Sequence, residues 1–158
     1  MYLTVLETPH VIVAAAIATK ITNPFLSLPL AFGSHFLFEK IPHWNPHINT
    51  EKKKYGHITK NSMYIIIADS ALSLIIGTAI ASRQIPDYRG FLVVMAACFM
   101  GVLPDLIEAP YYMLNITSDF ITKYWIPFKK SLQVDTTPVI GIVTQIVVVA
   151  VALLWIVS

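Results

Sequence analysis

The sequence predicts an all-α, polytopic integral membrane protein, folded as one helical bundle domain over residues 1–158. The chain is 56% hydrophobic and 13% charged, with a mean hydropathy of +0.66, whereas a soluble domain typically carries about 25% charged residues. Residues 62–82 and 138–158 are each apolar over the roughly 20 residues that a helix needs to cross a bilayer. A soluble fold would leave much of this apolar surface in water.

Two further apolar regions are less regular. Residues 90–104 are too short to cross alone, so they cross either with helical turns beyond Pro104 or as a broken helix. The first region, residues 11–39, is interrupted at Asn23-Pro24, where proline disfavours helix in the residue before it. We therefore predict an N-terminal helical hairpin broken at Asn23-Pro24. The alternative is one kinked helix of roughly 43 Å, too long for a bilayer without strong tilt.

Loop charges predict the orientation and exclude one class of partner. Eight lysines lie in the loops at residues 39–62 and 104–138, whereas Lys20, Arg83 and Arg89 lie on the other side. The positive-inside rule places the lysine-rich side in the cytoplasm. Because the basic residues form only short loop clusters, no nucleic-acid partner is expected, and membrane lipid is the predicted surrounding. Trp125 and Phe128 beside lysines indicate a short interfacial helix. The oligomeric state stays open.

Histidines provide the first indication of chemistry. All five lie in the first 57 residues. His35 and Glu39 are four apart on one predicted helix and share a face, and His43 follows Pro42, which ends that helix. The pattern His-x3-Glu-x3-His supplies the nitrogen and oxygen ligands that suit zinc or a similar divalent ion.

Two acids within apolar segments extend this constellation. Asp69 lies inside one predicted membrane helix, and Asp105 follows Pro104 at the lysine-rich end of the next. An intramembrane carboxylate is a candidate functional group. The hairpin also returns His10 to the same side. The predicted metal ligands are therefore His10, His35, Glu39, His43, Asp69 and Asp105, with Glu39 or Asp105 as the candidate general base. This set suits two metal ions, or one ion with a general acid-base group.

Structural explanations for the same residues stay open. Glu39 could be a solvated helix end beside Lys40. Asp69 could pair with a lysine or cap a neighbouring backbone, and Asp105 could be a helix N-cap. Glu108 shares a helix face with Asp105 and is a weaker candidate ligand.

Three motifs together resemble a known family. They are Thr8-Pro9-His10 before a small-residue helix, Ser34-His35-x3-Glu39-x2-Pro42-His43-Trp44, and Leu103-Pro104-Asp105. They resemble the bacterial family of membrane-bound metal-dependent hydrolases, which is similar to zinc-dependent phospholipase C. The resemblance implies a helical protein of the bacterial inner membrane, a divalent metal such as zinc held by the six residues above, and hydrolysis of a phosphoester.

The chain departs from this family in three respects. Glu39 stands where the family more often has aspartate. Some members carry a further acid directly after Leu-Pro-Asp and a later histidine, whereas here Leu106-Ile107-Glu108 follows and no histidine comes after His57. The number of metal ions is therefore left at one or two.

Two main functions follow as expectations. The first is metal-dependent hydrolysis of a phospholipid or another phosphoester at the cytoplasmic membrane face. The second is a non-catalytic metal-binding, transport or assembly protein, in which Asp69 would serve an ion path. A purely structural bundle, whose polar residues are interfacial anchors, is a third.

Overall fold

The structure, a computed structural model, describes residues 6–134 and 136–158, and within this part of the chain all regular elements are helical. The elements in chain order are α1 (Glu7–Lys20), α2 (Pro24–Phe38), α3 (Ile48–Tyr55), α4 (Lys60–Ser82), α5 (Tyr88–Met113), a π-helical segment (Phe120–Trp125), α6 (Ile126–Leu132) and α7 (Pro138–Val157). The predicted all-α bundle is confirmed.

The N-terminal hairpin is also confirmed. Asn23 caps α2 by accepting a hydrogen bond from the Phe25 backbone N–H at 3.0 Å, and Pro24 occupies the first helical position, where its missing N–H costs nothing. The ring of His10, in the first turn of α1, stacks on the ring of His35, in the last turn of α2. The two helices are therefore antiparallel.

Helix α1 is the centre of the bundle. Its residues Ala14, Ala15 and Ala16 have no exposed surface, and α2, α4, α5 and α7 all pack against it. A helix that is apolar on every side belongs in a core rather than at a surface. Gly101 allows α5 to approach closely, because a Cβ there would lie 2.7 Å from the Cβ of Ala14. At 14 residues, α1 is about 21 Å long.

Three described helices, α4, α5 and α7, are long and apolar enough to cross a membrane. We therefore treat the chain as a membrane-embedded protein. The third predicted segment continues as a helix through Pro104 to Met113. The outer faces of these membrane-crossing helices carry exposed apolar side chains such as Ile75 and Val139, as expected of surfaces that face lipid. Helix α3, in a stretch of lysines, is not predicted by any apolar periodicity in the sequence.

The two ends of the bundle differ in their connections. The α1–α2 turn and the α4–α5 turn meet at one end, where residues 22–25 and Asp87 line a common groove. The opposite end carries the lysine-rich connections with α3, the π-helical segment and α6. We call this the lysine-rich end, and the candidate site lies towards it.

Candidate metal centre

Three helices bring potential ligands together inside the bundle. His10 on α1, His35 on α2 and Asp105 on α5 each offer one ligand atom, and these atoms lie within 4.8 Å of one another. All three side chains are buried, with His35 completely enclosed. The convergence that the sequence predicted for these residues is therefore present in the structure.

Hydrogen bonding assigns a role to each ring nitrogen of His35. Its Nδ1 lies 2.9 Å from the carbonyl oxygen of Gly101 and donates to it. In a neutral imidazole the other nitrogen, Nε2, then carries a lone pair. This Nε2 lies 3.4 Å from Oε1 of Glu39 and 3.8 Å from Oδ2 of Asp105. Backbone carbonyls commonly orient metal-binding histidines in this way.

The atoms that face one another here are acceptors without donors. Among the described residues, His35 Nε2, Asp105 Oδ2 and both carboxylate oxygens of Glu39 are buried and have no hydrogen-bond partner. Unpaired buried polar atoms are costly and rare in proteins. Ligand atoms about 2.0–2.1 Å from a tetrahedral zinc lie roughly 3.3 Å apart. The separations around His35 are close to that spacing, so a cation between these atoms would satisfy them.

Glu39 also faces a second histidine. Its Oε2 lies 3.8 Å from Nε2 of His43. The Nδ1 of His43 donates to the carbonyl oxygen of Ile41 at 2.6 Å, so Nε2 again holds the lone pair. Glu39 thus presents one oxygen to each of two imidazoles, which is the arrangement of a carboxylate that can bridge two ions or bind one.

His10 completes the cluster from the central helix. Its ring stacks on that of His35 with centroids 4.1 Å apart, and Phe38 packs edge-on against its ring. Neither of its nitrogens has a hydrogen-bond partner within the described part of the chain. One nitrogen belongs to the group of converging ligand atoms, and His10 and His43 both line a water-sized cavity of about 20 Å³.

Helix α7 fixes the backbone on both sides of His43. The Thr144 hydroxyl donates to the carbonyl of Pro42, and the Gln145 amide donates to the carbonyl of Trp44 at 3.1 Å. Gly141 permits this contact, because a Cβ there would lie 2.7 Å from the carbonyl carbon of His43. The placement of His43 therefore depends on the last described helix.

Gly141 provides a test of this contact. We expect Gly141→Ala to lower the free energy of unfolding by about 1–3 kcal/mol, because the added methyl group overlaps the His43-Trp44 backbone. Gly33→Ala is the matched control, since a Cβ at Gly33 meets nothing within 4 Å. Thermal unfolding in detergent measures both. Equal midpoints for the two variants would contradict the close packing of α7.

A buried lysine lies behind the cluster. Lys129 on α6 pairs with Oδ1 of Asp105 and, at 2.7 Å, with Oε1 of Glu108. Burial lowers the pKa of the Lys129 ammonium, but the two carboxylates outweigh burial and hold the pKa above its ordinary value. The Trp125 indole, one turn earlier, donates to the carbonyl of Pro104 at 3.0 Å and ties this segment to α5.

Acidic side chains outnumber lysines in this buried region. The side chains of Glu39, Asp105 and Glu108 are at most 6% exposed, and among the described residues Lys129 pairs with two of them, Asp105 and Glu108. Buried charges are ordinarily paired or bound to metal. A bound divalent cation would compensate acidic charge that Lys129 alone does not.

Asp69 has a different set of partners. Its carboxylate accepts hydrogen bonds from the backbone N–H groups of Glu7 and Thr8 and, at 2.6 Å, from the Thr8 hydroxyl. It therefore caps the N-terminus of α1 from α4, where a negative charge also favours the helix dipole. Asp69 is not part of the converging triad. Asp105 lies inside α5 rather than at its N-cap.

The contacts of Asp69 lead to a discriminating prediction. We expect Asp69→Asn to leave the metal content of the protein unchanged, because Asp69 is outside the converging triad. The change should cost about 0.5–2 kcal/mol of stability, because only the amide oxygen can still accept from the N-terminus of α1. Metal per protein by elemental analysis is the measurement. Loss of metal with an unchanged unfolding midpoint would instead identify Asp69 as a ligand.

Sequence reasoning missed the part of the site on α6. In the sequence, Lys129 is one of several loop lysines, and Glu108 is a weaker candidate ligand. The available signal was the excess of acids near the predicted histidines, since Glu39, Asp105 and Glu108 require counter-charge when buried. The position of Lys129 four residues after Trp125 in an aromatic stretch was a second indication.

Comparison of the chain with family models, with curated proteins and with solved structures finds no match.

Proposed function

We propose that this protein is a membrane-bound metal-dependent hydrolase that acts on a phosphoester such as a phospholipid headgroup. The observation that carries the proposal is the cluster of buried, unpartnered ligand atoms on His10, His35, Glu39 and Asp105. Structural polar residues in an apolar bundle pair with one another or with backbone. These atoms instead face each other with lone pairs.

The donor set fits a divalent ion of the zinc type. His10, His35 and Asp105 would hold it, with Glu39 and His43 beside them as further ligands or for a second ion. A metal ion bound there would polarise a phosphoryl oxygen and make a water molecule more acidic. The resemblance of the sequence motifs to the metal-dependent hydrolases is consistent with this donor set.

The chain itself would supply orientation and proton transfer. Gly101 and Ile41 carbonyls hold the tautomers of His35 and His43. Glu39 is the better candidate for the general base, because both of its oxygens lack a partner among the described residues, whereas Asp105 shares one oxygen with Lys129. Lys129 is a positioning residue, which turns the Oδ2 atom of Asp105 towards His35.

The location favours a lipid over a soluble substrate. The site lies towards the lysine-rich end of helices that can cross a membrane. We propose that this end faces the cytoplasm of a bacterial inner membrane, by the positive-inside rule. The alternative is a non-catalytic metal-binding, transport or assembly protein, and in its transport form Asp69 would be part of an ion path. The hydrogen bonds of Asp69 to α1 give that carboxylate a structural purpose and disfavour transport. Turnover separates the hydrolase from a non-catalytic metal-binding protein.

Elemental analysis of the detergent-purified protein, followed by phosphoester assays, tests the proposal. We expect zinc or manganese at one or two ions per chain, release of a phosphorylated headgroup from phospholipid, and loss of release after treatment with a chelator. Restoring the metal should restore release. Metal-free protein that stays folded and is not activated by added ions would overturn the proposal, and bound metal without turnover would favour the non-catalytic alternative.

A further inference from the structure

A cleft of about 130 Å³ leads from the bundle surface to the acidic side of the candidate site. Helices α4 and α5 line its sides, and Leu6 and Glu7 at the start of α1 also border it. Four acidic side chains line the cleft: Glu7, Asp69, Asp105 and Glu108. The cleft is therefore in direct continuity with a proposed metal ligand. It is larger than the water-sized cavity beside His10 and His43.

The cleft is covered at the lysine-rich end. Three residues line it there: Pro46, just before α3, Ile48, the first residue of α3, and Tyr112 of α5. Ile48 is 2% exposed and Tyr112 is 5% exposed. Within the described residues, these closely packed side chains therefore narrow the cleft at this end.

The side of the cleft between α4 and α5 is open. Ser70 of α4 and Leu106 of α5 line it and are exposed. Ile66, Ala109 and Met113 continue the apolar rim. The neighbouring surface of α4 is strongly apolar and exposed, as at Ile67 and Leu74. Since α4 and α5 are both membrane-spanning helices, this opening faces the bilayer.

We infer that the α4–α5 cleft is a lateral entrance through which a membrane phospholipid places its headgroup at the metal site. The inference rests on the proposed function, and it specifies the substrate class and the route. An apolar rim with polar groups at depth matches an amphipathic molecule, which keeps its acyl chains in the bilayer while the headgroup reaches the carboxylates.

The depth of the cleft agrees with this route. Asp105 lies eight residues before the end of α5 at Met113, about 12 Å along the helix axis. A helix of 26 residues is about 39 Å long, some 9 Å longer than the hydrocarbon core. The inner end of the cleft thus lies near the boundary between acyl chains and headgroups, and its volume suits a headgroup rather than a whole lipid.

Photo-crosslinking in nanodiscs tests the entrance without relying on turnover. The nanodiscs contain phosphatidylethanolamine and phosphatidylglycerol, with a trace of phosphatidylethanolamine that carries a diazirine near its glycerol backbone. We expect labelling of peptides that contain Leu106 or Met113. Ala109→Trp, which fills the cleft with an indole, should reduce this labelling by roughly tenfold or more, because the free volume is lost. Ala150→Trp, the same change at an exposed position of α7, should leave it unchanged.

The outcomes separate the entrance from the proposed function, because metal content and headgroup release are measured on the same samples. Labelling that is lost in Ala109→Trp and kept in Ala150→Trp supports the entrance. Equal labelling in the two variants, or none in the cleft, overturns it, even where wild-type protein binds metal and releases headgroup. Cleft labelling without metal or turnover overturns the proposed hydrolase and leaves a lipid-binding cleft.

Discussion

Replacing His35 with asparagine is expected to remove the metal from the purified protein and to abolish headgroup release. The asparagine amide can still donate to the Gly101 carbonyl, so the change removes one ligand nitrogen and keeps the hydrogen bond that holds α2 to α5. Mutation of a residue that only hydrogen-bonds a metal ligand lowers metal affinity about 10–100-fold. We expect a larger loss here, because His35 Nε2 lies between Glu39 and Asp105.

The control for this experiment is His57→Asn. His57 is exposed in the α3–α4 connection, so the same chemical change should leave metal content and turnover at wild-type values. Helix content by circular dichroism confirms that both variants fold, and His43→Asn is a second site variant if His35→Asn does not. Wild-type metal content in folded His35→Asn protein would show that His35 is not a ligand, and the metal centre built around it would be abandoned.

Replacing Lys129 with methionine is expected to cause the largest loss of stability. Methionine keeps the length of the chain but leaves the buried carboxylates of Asp105 and Glu108 without their ammonium partner. Removing one partner of a buried ion pair costs about 3–5 kcal/mol. For a chain of 158 residues, that corresponds to a fall of roughly 6–20 °C in the unfolding midpoint, measured in detergent by circular dichroism.

Two companion variants identify the cause of that loss. Lys123→Met removes a lysine that pairs with Asp119 at 2.8 Å, but both of those side chains are largely exposed, so the change should cost less than about 1 kcal/mol. Adding Glu108→Gln to Lys129→Met should recover part of the stability, because one of the unpaired charges is removed. Similar midpoints for Lys129→Met and Lys123→Met would contradict a paired, buried Lys129.

The bundle and much of the site could be predicted because they follow from local sequence. Pro24 after Asn23 defines the hairpin, and the hairpin in turn places His10 beside His35. The spacing of four residues between His35, Glu39 and His43 likewise places these side chains near one another. The direction in which each helix crosses the bundle is enough to predict that these side chains lie at the same end.

The remainder depends on contacts between distant segments, which no local pattern contains. The sequence left Asp69 as either a ligand or a cap, and only the packing of α4 against the start of α1 shows its hydrogen bonds to Thr8. The aromatic residues before Lys129 indicate burial, but its partners, Asp105 and Glu108, follow only from the packing of α6 against α5. The dependence of His43 on Gly141 likewise appears only when α7 is in place.

The enclosed position of α1 has a consequence for biogenesis. The ribosome makes α1 before its four surrounding helices, and α7, which holds the His43 backbone, emerges after all the others. Domains generally begin to fold from the N-terminus during synthesis, but this helix cannot reach its final surroundings until translation has passed residue 157. If the proposed metal centre forms, we therefore expect nascent chains arrested before α7 to be membrane-inserted yet unable to retain a metal ion, so that its maturation would be a late, post-insertion event.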